Sequence, residues 1–166
     1  MSPRSKYQVI PVDQTPKQDV THIGHRPLIL IVDDERVIAD TLSAILFQSG
    51  FQTMTAYNAE HALELARTTP PDLLISDVVM PGMSGIDLAI TITEVLPHCK
   101  VLLFSGQAAT VDLLETARRS GHNFTTLTKP IHPTDMLRRI SECFAVSEAF
   151  SHSANQAVTP ADSFAP

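Results

Sequence analysis

Four apolar runs in this 166-residue chain end in a side chain suited to chemistry. LILIV (28–32) leads into Asp33-Asp34, the run 72–76 into Asp77, VLLF (101–104) into Ser105, and FTTLT (124–128) into Lys129. Three carboxylates, a hydroxyl and an ammonium are the parts of a phosphate-handling site. Carboxylates held within a few ångströms repel one another unless a cation sits among them. Oxygen-only ligands favour a hard divalent ion, and an open, water-keeping site favours Mg2+ over a transition metal. A carboxylate is also a nucleophile toward phosphorus, giving an aspartyl phosphate. Lysine and a hydroxyl can hold the equatorial oxygens of the group in transfer. Together these residue types point to phosphoryl transfer onto one aspartate.

Taken singly, each residue has a plainer role. Asp33-Asp34 could cap the helix that follows. Asp77 could form the turn before Pro81-Gly82, Ser105-Gly106 could open an ordinary loop, and Lys129 could be a surface charge before a proline. For any one of them the plain role is favoured. It does not account for all four at the ends of successive apolar runs.

The elements that must position these groups alternate along the chain. Strand-like runs fall at 28–32, 51–57 (FQTMTAY), 72–76, 101–104 and 124–128. Between them, residues 35–49 place Val37, Ile38, Leu42, Ile45 and Leu46 on one helical face and stop at Gly50. Asn58 is placed to cap a helix carrying Ala59, Ala62, Leu63 and Ala66. Residues 86–96 and 109–119 read as two more helices. A fifth opens on the first-turn proline Pro133 and aligns Met136, Leu137, Ile140 and Phe144. Five strands alternating with five helices imply an α/β fold, a doubly wound five-stranded parallel sheet. In such sheets ligand groups gather at the carboxyl ends of the strands, near the switch in strand order. The order 2-1-3-4-5 makes the four polar-ended strands neighbours and leaves FQTMTAY, whose end offers little chemistry, at an edge.

Bulk properties narrow the alternatives. A hydrophobic fraction of 43% and a mean hydropathy of +0.06 suit one folded domain with tails. Residues 1–26, with scattered prolines and no periodicity, read as a disordered arm, residues 27–146 as the domain, and residues 147–166 as a flexible tail. No apolar run approaches the length of a membrane span, and the N-terminus lacks the apolar stretch of a secretory leader. Cys99 and Cys143 suit reduced packing residues of a cytoplasmic protein. The net charge is −6, with all of that excess acid in residues 28–146 and the C-terminal tail. No basic stripe accompanies it, which argues against nucleic acid as the direct ligand. The seven histidines show no zinc spacing, and Met54, Met80, Met83 and Met136 read as packing residues.

LILIVDDE, LLISDVVMPGMSG, VLLFSG and LTKP together resemble the motifs of bacterial response-regulator receiver domains, over about Pro27 to Val146. The 2-1-3-4-5 order is also that of the chemotaxis member of this family, so order and resemblance are one expectation. The resemblance implies that Asp77 is the phosphoacceptor and that Asp34 ligates Mg2+, with Mn2+ as an alternative ion. Asp33 would assist directly or through water, and the carbonyl of Val79 would add a further ligand. Lys129 would pair with the phosphoryl group, Ser105 would swing to hydrogen-bond it, and Lys129-Pro130 would be a cis peptide. The phosphate would come from a histidine kinase or histidine phosphotransfer protein. Such a receiver is no enzyme beyond self-phosphorylation from phosphodonors and self-dephosphorylation.

Three positions depart from the family pattern. Thr126 stands where receivers carry a Tyr or Phe that turns inward on phosphorylation, Phe124 is the nearest aromatic, and Ile131 replaces an aromatic after the proline. Phe124 is expected in the core. Only twenty residues follow Val146, from which a stand-alone receiver is expected, with output by contact with an unidentified downstream protein and with phosphorylation-dependent homodimerisation as one form of it. Two rivals stand beside this reading: a degenerate receiver acting as a phosphorylation-independent binding module, and an aspartate-nucleophile phosphatase. The second usually carries its nucleophile in a DxD on the first strand, which Asp33-Asp34-Glu35 does not match.

Overall fold

The computed structural model describes residues 26–106 and 109–154, with side chains for 26–106 and 111–145. Ten elements alternate: β1 (Leu28–Val32), α1 (Arg36–Gln48), β2 (Gln52–Ala56), α2 (Ala59–Thr68), β3 (Leu73–Asp77), α3 (Gly85–Val95), β4 (Lys100–Ser105), α4 (Ala109–Arg119), β5 (Thr125–Thr128) and α5 (Pro133–Ala154). All strand pairs are parallel and the order is β2-β1-β3-β4-β5. The expected architecture is therefore the observed one, with FQTMTAY contributing an edge strand.

The central strands are apolar throughout because helices cover both faces of the sheet. Leu30, Val32, Leu74, Val101 and Leu103 pack with Ala59, Ala62, Ile86, Leu88, Ala89, Ile92 and Ala117 of α2, α3 and α4. The alternate residues Ile29, Ile31, Leu73, Ile75, Leu102 and Phe104 pack with Ala39, Leu46, Met136 and Ile140 of α1 and α5. Burying one such Leu or Ile contributes about 1.5–3 kcal/mol. The strand interiors thus hold the sheet, and their polar ends are free for other work.

The helix boundaries follow their local signals. Asn58 caps α2 by accepting from the His61 N–H at 2.8 Å. Gly50, at φ +98°, turns the chain out of α1, and Pro133 opens α5. Helix α5 continues to Ala154, into the segment read from sequence as a tail. The expected arm at 1–26, apart from Arg26, and the rest of the tail lie outside the described residues. Among the described residues, no helix is long and apolar enough to cross a membrane.

Phe124 is half-buried against the α4 side of the core and stacks on His122, with ring centroids 5.9 Å apart. Thr126 is exposed on β5. Met80 and Met136 are buried, and Met54 and Met83 pack on the core. Burial pushes the Cys99 thiol up to about 12 and raises that of Cys143, so both stay neutral thiols, as packing residues should.

Candidate functional site

Strand register brings the polar strand ends together. Val32 of β1 pairs with Ser76 of β3, so Asp33 follows level with Asp77. Asp77 pairs with Phe104, which sets Ser105 one residue further along β4, and Ser105 pairs with Thr128, just before Lys129. The Lys129 N–H donates to the Ser105 carbonyl at 2.9 Å. The Lys129-Pro130 peptide is cis, as the resemblance implied.

Lys129 is the hub of the side-chain geometry. Its Nζ donates to Asp33 Oδ2 at 2.9 Å and lies 3.4 Å from Asp77 Oδ2. Asp33 is 1% exposed, and its other oxygen accepts from the Glu35 N–H at 2.9 Å. That bond is a local turn ahead of α1 and not the helix cap of the plain reading, since Glu35 stands at the N-cap and makes no side-chain cap bond of its own. Asp77 is half-buried and its Oδ1 accepts from the Val78 N–H at 2.9 Å. Asp34 is exposed. Asp33, Asp34 and Asp77 each offer one oxygen, all within 4.8 Å of one another. Among the described residues no histidine or cysteine joins this group.

Electrostatics follow from that packing. Burial pushes the Asp77 carboxyl above its ordinary value; the Lys129 charge opposes the shift, the Asp33 charge adds to it, and the net direction is upward. Burial pulls Lys129 down, but its hydrogen bond and attraction to Asp33, then its attraction to Asp77, outweigh burial and raise it. Lys129 is therefore a fixed ammonium. With one cation against three carboxylates, the cluster has room for more positive charge. Oxygen donors that converge from one buried, one half-buried and one exposed carboxylate suit a hard divalent ion that keeps part of its water, so the residues present fit Mg2+.

Ser105 closes β4, half-buried, and Val79, 56% exposed, lies in the turn leaving Asp77. Beside Lys129 opens a largely apolar cavity of about 600 Å3, lined by Ile38, Leu42, Phe104, Gly106, Pro130 and Ile131. Two further residues shape the site from behind, and sequence reasoning placed them only loosely or not at all. Ser76, fully buried, donates its hydroxyl to the Asp77 carbonyl oxygen at 2.9 Å. A Cβ on Gly85 would stand 1.8 Å from that same oxygen and 2.8 Å from Ser76 Oγ. At the start of α3, this glycine thus leaves room for the backbone of Asp77.

A parallel sheet of this order, with acids and a lysine converging at its carboxyl edge, defines a doubly wound α/β domain with a candidate site at that edge. Residues 29–141 match the family model described as the response regulator receiver domain, and the chain belongs to that family. It is 38% identical over 102 residues to a response regulator receiver protein of Anaeromyxobacter sp. (strain Fw109-5), covering 61% of this chain and 42% of that one. It is 28% identical over 115 residues to the DNA-binding response regulator MtrA of Mycobacterium leprae, covering 69% and 50%. The chain thus spans about half the length of these curated relatives. Among solved structures, a response regulator receiver domain protein of Methanospirillum hungatei JF-1 superposes with a TM-score of 0.69 at 26% identity, over 75% of this chain and 98% of that one.

Proposed function

We propose that Asp77 is the phosphoacceptor of this receiver domain, phosphorylated in a Mg2+-dependent reaction by a histidine kinase or histidine phosphotransfer protein. The supporting observation is the joint placement of three carboxylate oxygens within 4.8 Å of one another, with Lys129 Nζ within 3.4 Å of two of the acids. Asp33, Asp34, Asp77 and the carbonyl of Val79 would hold the ion. When bound, Mg2+ supplies positive charge against the oxygens of the phosphoryl group. One carboxylate oxygen of Asp77 attacks phosphorus as the P–N bond of the donor phosphohistidine breaks. The electron pair of that bond leaves with the imidazole nitrogen, and an aspartyl phosphate results. Lys129 already touches Asp77 and stays an ammonium, so it donates to a phosphoryl oxygen without moving far. Ser105, one residue past the partner of Asp77 on the adjacent strand, donates its hydroxyl to another.

The apolar cavity beside Lys129 suits a seat for the donor's apolar surface next to its phosphohistidine. The protein acts in the cytoplasm, and its signal leaves by contact with another protein. The chemistry of this domain is its own phosphorylation and dephosphorylation. An amide NMR titration with beryllofluoride, which mimics the phosphoryl group, tests the reading. With Mg2+ present, the signals of Val78, Ser105 and Lys129 shift to a saturated end point. Shifts that do not need Mg2+, or that persist in Asp77→Asn, would contradict it.

A further inference from the structure

The turn that carries Asp34 is tied on both sides to the end of β2. Before the turn, the Asp33 N–H donates to the Ala56 carbonyl at 3.3 Å. After it, Arg36 opens α1 with its guanidinium 4.3 Å from the ring centroid of Tyr57, the residue that follows β2. The Tyr57 hydroxyl donates to Asp40 Oδ1 at 2.9 Å, one turn further along α1. The Tyr57 ring also packs on the core between the sheet and α1. Tyr57 is thereby fixed to the sheet, and α1 is fixed to Tyr57 at two points.

Asp34 itself is exposed, and among the described residues no side chain or backbone N–H is bonded to its carboxylate. Without such a bond, its placement depends on the backbone of the turn beneath it, which fixes the Asp34 Cα–Cβ direction. The position of Arg36 also needs a cause. A cation at the first helical position opposes the positive end of the helix dipole; the first turn of α1 itself holds no acid, the nearest being Glu35 at the N-cap. Stacking on the face of a tyrosine adds a favourable contact that holds the cation there.

We infer that Arg36, Tyr57 and Asp40 form a positioning clasp for Mg2+ uptake, holding the β1–α1 turn so that the Asp34 carboxylate stays aimed at Asp33 and Asp77. The inference rests on the Mg2+ reading above. Groups that orient a metal ligand without touching the metal typically change metal affinity by about 10–100-fold when removed.

The test is a Mg2+ titration of the full chain followed by amide NMR, with thermal unfolding in EDTA to report the fold separately. Tyr57→Leu keeps every charge and much of the apolar packing; its Mg2+ dissociation constant rises about tenfold. Tyr57→Phe keeps the stacking ring and stays closer to the parent than to Tyr57→Leu. Arg36→Gln is the sharper variant, because removing a cation two residues from Asp34 should by charge alone tighten Mg2+, whereas loss of the clasp weakens it. Arg36 is exposed, so this variant reports even where Tyr57→Leu loses its fold. Weaker binding in Arg36→Gln supports the clasp. Equal or tighter binding there, with a parent that binds Mg2+, overturns the clasp and leaves the proposed function standing. A parent that takes up no Mg2+ overturns both.

Discussion

Asp77 sits half-buried beside Asp33, a second and fully buried carboxylate, and one ammonium serves both. The folded protein therefore raises the affinity of Asp77 for a proton above that of the unfolded chain. The stability this group confers is present below its ordinary value of 3.8 and is lost as pH rises through the raised folded value. At neutral pH and without Mg2+, Asp77→Asn should unfold at a higher urea midpoint than the parent, and the gain should vanish below pH 3.8. Equal midpoints at neutral pH would show that Asp77 is not held at a cost. Lys129→Met, measured in the same titration, should move the other way. It strips the counter-ion from Asp33, which is 1% exposed, and should cost about 3 kcal/mol at neutral pH. These residues were legible in the sequence because their chemistry is carried by side-chain type and place in the chain. Ser76 was not, since a serine inside an apolar run looks like a neutral strand residue until its hydroxyl is seen on the Asp77 carbonyl.

At the scale of elements, the site depends on how α3 meets the end of β3. The Gly85 N–H donates to the Val78 carbonyl at 2.9 Å, while the Gly85 Cα leaves no space for a methyl against the Asp77 carbonyl. Gly85→Ala should therefore push α3 or the strand end aside. The expected loss is about 1–3 kcal/mol in chemical denaturation, as for an overpacked core, with a disproportionate fall in phosphoryl uptake. Asn58→Ala provides the contrast: removing the α2 cap should cost about 1 kcal/mol and leave uptake unchanged. A Gly85→Ala protein as stable and as readily phosphorylated as the parent would show that the close approach is dispensable. Element types were readable because apolar periodicity switches between runs and helical stripes at Gly50, Asn58 and Pro133. Two features were not. The segment SEAFSHSA is too small and polar to show a helical stripe, yet α5 passes through it. The Arg36–Tyr57 stack joins residues 21 positions apart, a pairing that only the register of β1 on β2 creates.

Across the whole molecule, two apolar cores clamp the sheet from either side and leave its carboxyl edge to five polar groups. Where those groups fall argues for placing β2 at an edge, as observed, while the full order 2-1-3-4-5 was legible only together with the family resemblance. The readout side was less legible. Thr126 is exposed and Phe124 is half-buried against α4, so no aromatic on β5 itself stands ready to turn inward among the described residues. The chain is a receiver domain by family and fold, and the central claim is that the acid cluster makes Asp77 a Mg2+-dependent phosphoacceptor. Intact-mass spectrometry after incubation with acetyl phosphate tests this most directly, in the parent and in Asp77→Asn, with Mg2+ and with EDTA. The account predicts a single added phosphoryl group in the parent with Mg2+ and none in the other three samples; an adduct of equal yield in EDTA, or one that survives Asp77→Asn, would contradict it.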